Sequence, residues 1–152
     1  MKALLQRVTR ASVRVDGDEI GVIGPGLLVL LGVAAGDDAV QADRLAERVA
    51  GYRIFEDDAG KMNRSLVDTG GAALVVSQFT LCADTGSGRR PGFEPAAPPL
   101  VAEPLYERFC AAMERAGVPV RRGRFGASMD VELVNHGPVT FLLEMTPTAG
   151  GG

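Results

Sequence analysis

The run Leu27-Leu28-Val29-Leu30-Leu31-Gly32-Val33 constrains the fold more than any other stretch of the chain. It is apolar at odd and even positions alike, so a strand there buries both faces and belongs in the centre of a sheet. Gly24-Pro25-Gly26 breaks the chain just ahead of it. Even extended to Ala35, the run falls far short of the roughly eighteen apolar residues of a membrane helix.

The other elements are placed around that strand. Residues 3–15 alternate loosely and are rich in Val, Thr and Ser, which predicts a strand. Asp16-Gly17 is a hairpin turn signal, with Ile20–Ile23 returning antiparallel. Asp38 with Gln41 has capping-box spacing, and Ala42, Leu45, Ala46 and Val49 recur at helical intervals, predicting a helix over 39–51. Short strands are expected at 52–56, 72–79, 118–124, 131–134 and 139–145. A second helix runs from about Pro99 or Glu103 to Ala116, with Leu105, Phe109, Ala112, Met113 and Ala116 inward and Gly117 as its stop. Residues 84–99 hold the prolines, glycines and Arg89-Arg90 of a long surface loop. The fold class is mixed α and β: one sheet system with two main helices, in a single domain over 1–146. A disordered tail is expected over 147–152, which ends in three glycines.

Composition narrows the function. The 152 residues carry a net charge of −3, which argues against indiscriminate nucleic-acid binding. A local basic patch stays possible at Arg89-Arg90, at Arg121-Arg122 with Arg124, or at Arg7, Arg10 and Arg14. Arg7 comes too early for a signal-peptide core, so the expected location is the cytoplasm. Cys82 and Cys110 are far apart in apolar settings, which predicts free thiols. With His136 as the only imidazole and no Cys-x-x-Cys, no metal and no other cofactor is expected.

No nucleophile has an obvious base beside it. Ser77, Thr80 and Ser128 supply hydroxyls, but no Gly-x-Ser-x-Gly elbow is present. Gly32–Gly36 lacks both the dinucleotide-binding spacing and a P-loop lysine. Two stretches remain. Ser77-Gln78-Phe79-Thr80-Leu81 closes an apolar run where a strand delivers polar groups to a surface. Asn135-His136-Gly137-Pro138-Val139-Thr140 sets a Gly-Pro step between two strand-like segments.

With these two motifs in this order the chain resembles the D-aminoacyl-tRNA deacylases of the bacterial and eukaryotic type. The likeness runs from residue 1 to about 145, through Leu5–Val13, Gly26–Val33, Gly51–Phe55 and Lys61–Asn63. His136 falls at a variable motif position, and the tail beyond Met145 is extra. The resemblance implies that family's fold, a largely antiparallel sheet or open barrel packed against the two helices. It also implies a metal-free homodimer that hydrolyses the ester between a D-amino acid, or glycine, and the 3′-terminal adenosine of tRNA. That activity is chiral proofreading in translation; DNA and membranes are not expected partners.

The family's Gly-Pro bond is cis and enters the partner subunit's site. Gly137 and Pro138 are therefore expected to offer carbonyls to the substrate ammonium and to collide with an L side chain. Arg7 would brace that turn, and Phe125 and Met129 match positions near the pocket wall. Ser77, Gln78, Phe79 and Thr80 form the catalytic segment, with backbone N–H groups near Phe79 and Thr80 as oxyanion donors. The ribose 2′-hydroxyl would then assist the chemistry; a rival reading makes Thr80 an acyl-accepting nucleophile. Two further classes stay open: a metal-free esterase of small acyl compounds, and a non-catalytic module for RNA 3′ ends.

Overall fold

The strand expected at the centre is central. In the computed structural model, which describes residues 1–147, β3 (Gly26–Gly32) lies between an antiparallel and a parallel neighbour. The antiparallel one is β1 (Lys2–Val15), and the parallel one is β6 (Ala72–Ser77). Leu27, Val29 and Leu31 join one buried cluster, while Leu28 joins another. The first cluster is roofed by α1 (Ala39–Gly51) and α3 (Pro99–Arg115). The second fills the inside of the curled sheet, with Val8, Val13, Ile23 and Leu74. That division explains why β3 shows no polar face.

The sheet order is β2 (Asp18–Ile23), β1, β3, β6, β7 (Val120–Arg122), with β8 (Asp130–Glu144) along the other edge of β1. β1 is thus shared: β3 pairs with its first half and β2 with its second, while β8 follows almost its whole length. The Asp16-Gly17 turn joins β1 to β2 with positive φ at both residues, as a tight hairpin requires. The sheet curls until β2 nears β7: a Cβ on Gly21 would stand 3.1 Å from the Arg122 carbonyl oxygen. Gly26 is needed for the β3–β6 pairing, because any Cβ there would overlap the Ala72 carbonyl. A small hairpin, β4 (Phe55–Glu56) with β5 (Met62–Arg64), and a short helix α2 (Leu66–Thr69) complete the fold.

Helix α1 starts at Asp38, whose carboxylate accepts the Gln41 N–H at 2.9 Å while Gln41 reaches back to the Asp38 N–H at 2.8 Å. Such a cap contributes about 1 kcal/mol. Its buried stripe, Ala42, Leu45, Ala46 and Val49, is the predicted one, and truncating Leu45 to Ala would cost about 2–5 kcal/mol. The N-terminus is anchored close by. The Met1 ammonium lies 2.8 Å from Asp37 Oδ2, with both groups buried, and it donates to the Met145 carbonyl at 2.8 Å.

Several expectations need correction. The strand expected to reach Phe79 stops at Ser77, because β3 ends at Gly32 and offers no ladder beyond the bond from the Gln78 N–H to the Leu31 carbonyl (2.8 Å). The chain turns there into a 3₁₀ segment, Phe79–Cys82. The segments 131–134 and 139–145 are one strand rather than two, since both pair with the continuous β1 and the ladder resumes after the Gly-Pro step. A third, short helix, α2, joins the two expected ones; its Ser65–Asp68 capping box was present in the sequence but unread. In α3 the buried row runs through Tyr106 and Cys110, with Leu105 and Ala116 only partly buried. Both cysteines are free and buried, as expected. The expected tail lies, beyond Pro147, outside the described residues. Among the described residues, no helix is long and apolar enough to cross a membrane.

Candidate active site

Strands β3 and β6 run parallel and end side by side, and a cavity of about 550 Å³ opens beyond their carboxyl ends. Val33 and Val76 form its floor, continued by Ser77, Gln78 and Phe79. Phe93 and Ala97 from the long loop, Ala102 on α3, and Phe125 and Met129 ahead of β8 complete its walls. Among the described residues, no Asp, Glu, Lys, Arg or His lines it. A site of this kind suits a neutral group and offers no general base.

Its polar feature is the turn after β6. The Gln78 carbonyl accepts the Leu81 N–H at 3.2 Å, so the N–H groups of Phe79 and Thr80, the first two of the 3₁₀ segment, have no intrahelical acceptor. Phe79 belongs to the cavity lining, and Thr80 follows it just outside. Thr80 is exposed and outside the lining; its hydroxyl accepts from Gln78 Nε2 at 2.6 Å. Behind the opposite wall, Tyr106 packs on Phe125 with ring centroids 6.0 Å apart and donates its hydroxyl to the Val75 carbonyl at 2.7 Å. Burial pushes the Tyr106 phenol far above its ordinary range, which leaves it a structural donor.

The second motif lies elsewhere. Gln6 pairs with Thr140 and Val8 with Asn135, so residues 136–139 bulge out opposite Arg7 alone. Asn135 closes the base of this loop: its Oδ1 accepts the Val139 N–H at 3.0 Å, and its Nδ2 donates to Thr140 Oγ1 at 3.0 Å. Arg7, only 5% exposed, holds the loop from beneath. Its Nε donates to the His136 carbonyl at 3.1 Å and its Nη1 to the Ile54 carbonyl at 2.9 Å. The Gly137-Pro138 bond is cis, and both residues are exposed. Gly137 has φ +131°, and a Cβ there would stand 2.7 Å from Val139 Cγ2 and 3.2 Å from Arg7 Nη2.

Of the residues expected at the site, then, Ser77, Gln78, Phe79, Phe125 and Met129 meet in one cavity. Arg7, Gly137 and Pro138 form a separate group in the same subunit, with no place in that lining. Sequence reading missed Phe93, Ala97 and Ala102; the only signal was an aromatic within a Pro- and Gly-rich loop. Among the described residues, no group of three or more His, Cys, Asp or Glu is placed to hold a metal ion.

Comparison with known proteins agrees with this architecture. The family described as D-Tyr-tRNA(Tyr) deacylase matches residues 4–144. A D-aminoacyl-tRNA deacylase of Ruegeria pomeroyi is 61% identical over 145 residues, spanning 95% of this chain and 100% of the relative. One from Xanthomonas axonopodis pv. citri is 64% identical over 146 residues, spanning 94% and 99%. A solved structure titled c-Myc DNA Unwinding Element Binding Protein superposes with TM-score 0.91 at 40% identity, covering 96% of this chain and 99% of that one. A probable eukaryotic D-amino acid tRNA deacylase, 18% identical with TM-score 0.83 over 95% of this chain and 98% of that one, shares the fold. With the sequence match spanning both motifs and the strands that carry them, the chain belongs to the D-Tyr-tRNA(Tyr) deacylase family.

Proposed function

We propose that this protein hydrolyses the ester joining a D-amino acid, or glycine, to the 3′-terminal adenosine of tRNA, and that it does so as a homodimer with composite sites. The observation that carries the reading is a 3₁₀ segment whose first N–H groups, at Phe79 and Thr80, have no intrahelical acceptor and which begins in the lining of a cavity that no base among the described residues lines. An ester is already activated, so positioning and oxyanion stabilisation supply much of the rate. Water attacks the ester carbonyl, the oxyanion is met by the two N–H groups, and the 3′-oxygen leaves. The attacking water gives up a proton and the departing 3′-oxygen takes one up, with the neighbouring ribose 2′-hydroxyl, part of the substrate, relaying it between them. The terminal nucleoside lies against Phe125 and Met129.

The rival role for Thr80 is disfavoured. Its hydroxyl is engaged as the acceptor of the Gln78 amide, and Thr80 lies outside the cavity lining. Gly137 and Pro138 are exposed and take no part in the lining of their own subunit's cavity, which supports their insertion into a partner's cavity across a two-fold axis. There they would accept the substrate ammonium, and an L side chain would run into the turn. Glycine, with no side chain, passes.

The decisive experiment incubates the protein with matched D-, L- and glycyl-tRNA and measures the amino acid released. D and glycine are released and L is kept; equal release from D and L, or none from D, overturns the reading. Mixing tests the composite site. A Gly137→Ala subunit and a Met129→Glu subunit, each inactive alone, recover about a quarter of wild-type activity when randomly reassorted, because one site in each mixed dimer is intact.

A further inference from the structure

Phe79 and Phe93 meet at the mouth of the cavity, ring centroids 5.0 Å apart and planes at 60°. They remain 53% and 42% exposed. Lone apolar side chains on a surface are ordinary, but two touching rings beside a cavity form a patch that calls for a partner. Phe93 stands on a fastened loop. Asp84 and Gly92 exchange both backbone hydrogen bonds, at 2.7 and 2.9 Å, and the Asp84 carboxylate accepts the Gly86 N–H at 2.9 Å. Downstream, the Ala97 N–H donates to the Val33 carbonyl at 3.0 Å.

The segment enclosed between Asp84 and Gly92 presents Arg89 and Arg90, both exposed and neither in an ion pair among the described residues. Arg124, next to the cavity-lining Phe125, is likewise exposed and unpaired. Elsewhere on the surface Arg10, Arg14, Arg108 and Arg122 have a carboxylate partner, while Arg44, Arg48 and Arg121 are exposed with no ion pair among the described residues; Arg89 and Arg90 differ from these in lying on the loop that carries Phe93. Free guanidinium groups beside exposed aromatic rings have the chemistry of a single-stranded nucleic-acid track.

We propose that this rim holds the single-stranded nucleotides that precede the terminal adenosine of the substrate. The ring face of Phe93, with Phe79 at its edge, stacks the penultimate base, while Arg89 and Arg90 take up phosphates. The proposal rests on the deacylase reading and adds to it a subsite at the cavity mouth, which shares Phe79 and Phe93 with the cavity lining and extends outward to Arg89 and Arg90.

The test compares full D-aminoacyl-tRNA with 3′-O-D-aminoacyl-adenosine, which has no preceding nucleotides. Phe93→Leu, which keeps apolar packing but removes the ring, raises KM for the tRNA by about 5- to 100-fold and, because Phe93 also lines the cavity, raises it for the nucleoside ester by a smaller factor. Phe93→Trp restores stacking. Arg89→Ala with Arg90→Ala lowers the slope of log affinity against log salt by about 1.4 for the tRNA and leaves the nucleoside ester untouched. Equal losses on both substrates, or no loss on the tRNA, overturn the rim. A parallel titration with a short uncharged RNA ending in CCA needs no turnover. If wild type binds it through Phe93 but cleaves no D-ester, the deacylase reading fails and the rim stands. If wild type cleaves and these variants match it on tRNA, the rim alone fails.

Discussion

The cavity and the Gly137-Pro138 bulge are built by opposite means. The cavity is a space left where apolar side chains from β3, β6, the long loop and α3 meet, and its only directed groups are backbone N–H donors. The bulge buries only Val139; the rest is an exposed stretch of backbone held by Asn135, Thr140 and one buried arginine. One region is shaped by what surrounds it, the other by what pins it. The difference teaches that a donor site and an acceptor site can be rigid for unrelated reasons, so different substitutions should break each.

The largest expected effect is on the bulge. Gly137→Ala sets a Cβ against Val139 and Arg7 at a φ that L residues rarely adopt, and should lower kcat/KM on D-aminoacyl-tRNA by a thousandfold or more while the fold survives. A loss under threefold, with an unchanged melting curve, would separate the bulge from the site. The cavity side is sharpened by Thr80. Thr80→Ala should keep activity within about tenfold, whereas a tRNA ending in 2′-deoxyadenosine should lose a hundredfold or more; the reverse order would make Thr80 the nucleophile.

Arg7→Met leaves the His136 and Ile54 carbonyls without their donor and should lower stability by about 2–4 kcal/mol in urea titration. Arg7→Lys should recover only part of it, because an ammonium lacks the fork that spans both acceptors. A cavity-wall variant such as Phe125→Leu should leave that pinning intact.

Smaller effects probe the cavity's walls. Cys82 is the last residue of the 3₁₀ segment and Cys110 lies in α3; burial raises both thiols, Cys110 to about 12. Neither should be alkylated at pH 8 in the native state, and fast labelling of Cys82 would reveal a wall that opens. The smallest effect is expected at Asp43, which joins α1 to α3 through Arg108 at 2.8 Å. The Arg108 hydrogen bond holds the Asp43 carboxyl below its ordinary 3.8. A lowered carboxylate pKa adds stability above the unfolded value and loses it as pH falls through the folded one. Arg108→Ala should therefore lower the melting temperature slightly at neutral pH and not at all under strong acid, since an exposed pair is well screened.

How much was legible depended on the range of the signal. The Asp38–Gln41 cap and the Ala42–Val49 stripe specified α1 because both act within two turns of chain. The Asp16-Gly17 turn was equally plain. The site was legible only in pieces. The resemblance named Ser77–Thr80 and Gly137-Pro138, yet nothing local said that the strand would stop at Ser77 or that Phe93 would form a wall.

By itself the sequence determined the two-faced strand β3, the helices α1 and α3, the hairpin turn and the membership of a family. These follow from periodicity, capping and turn chemistry, which are properties of neighbouring residues. Only the tertiary structure decided the rest: that 131–134 and 139–145 are one strand, that a cavity opens where two parallel strands end, and that Arg7 reaches the His136 carbonyl. Each depends on contacts between residues remote in the chain, and a β ladder carries no local mark of the partner it will find.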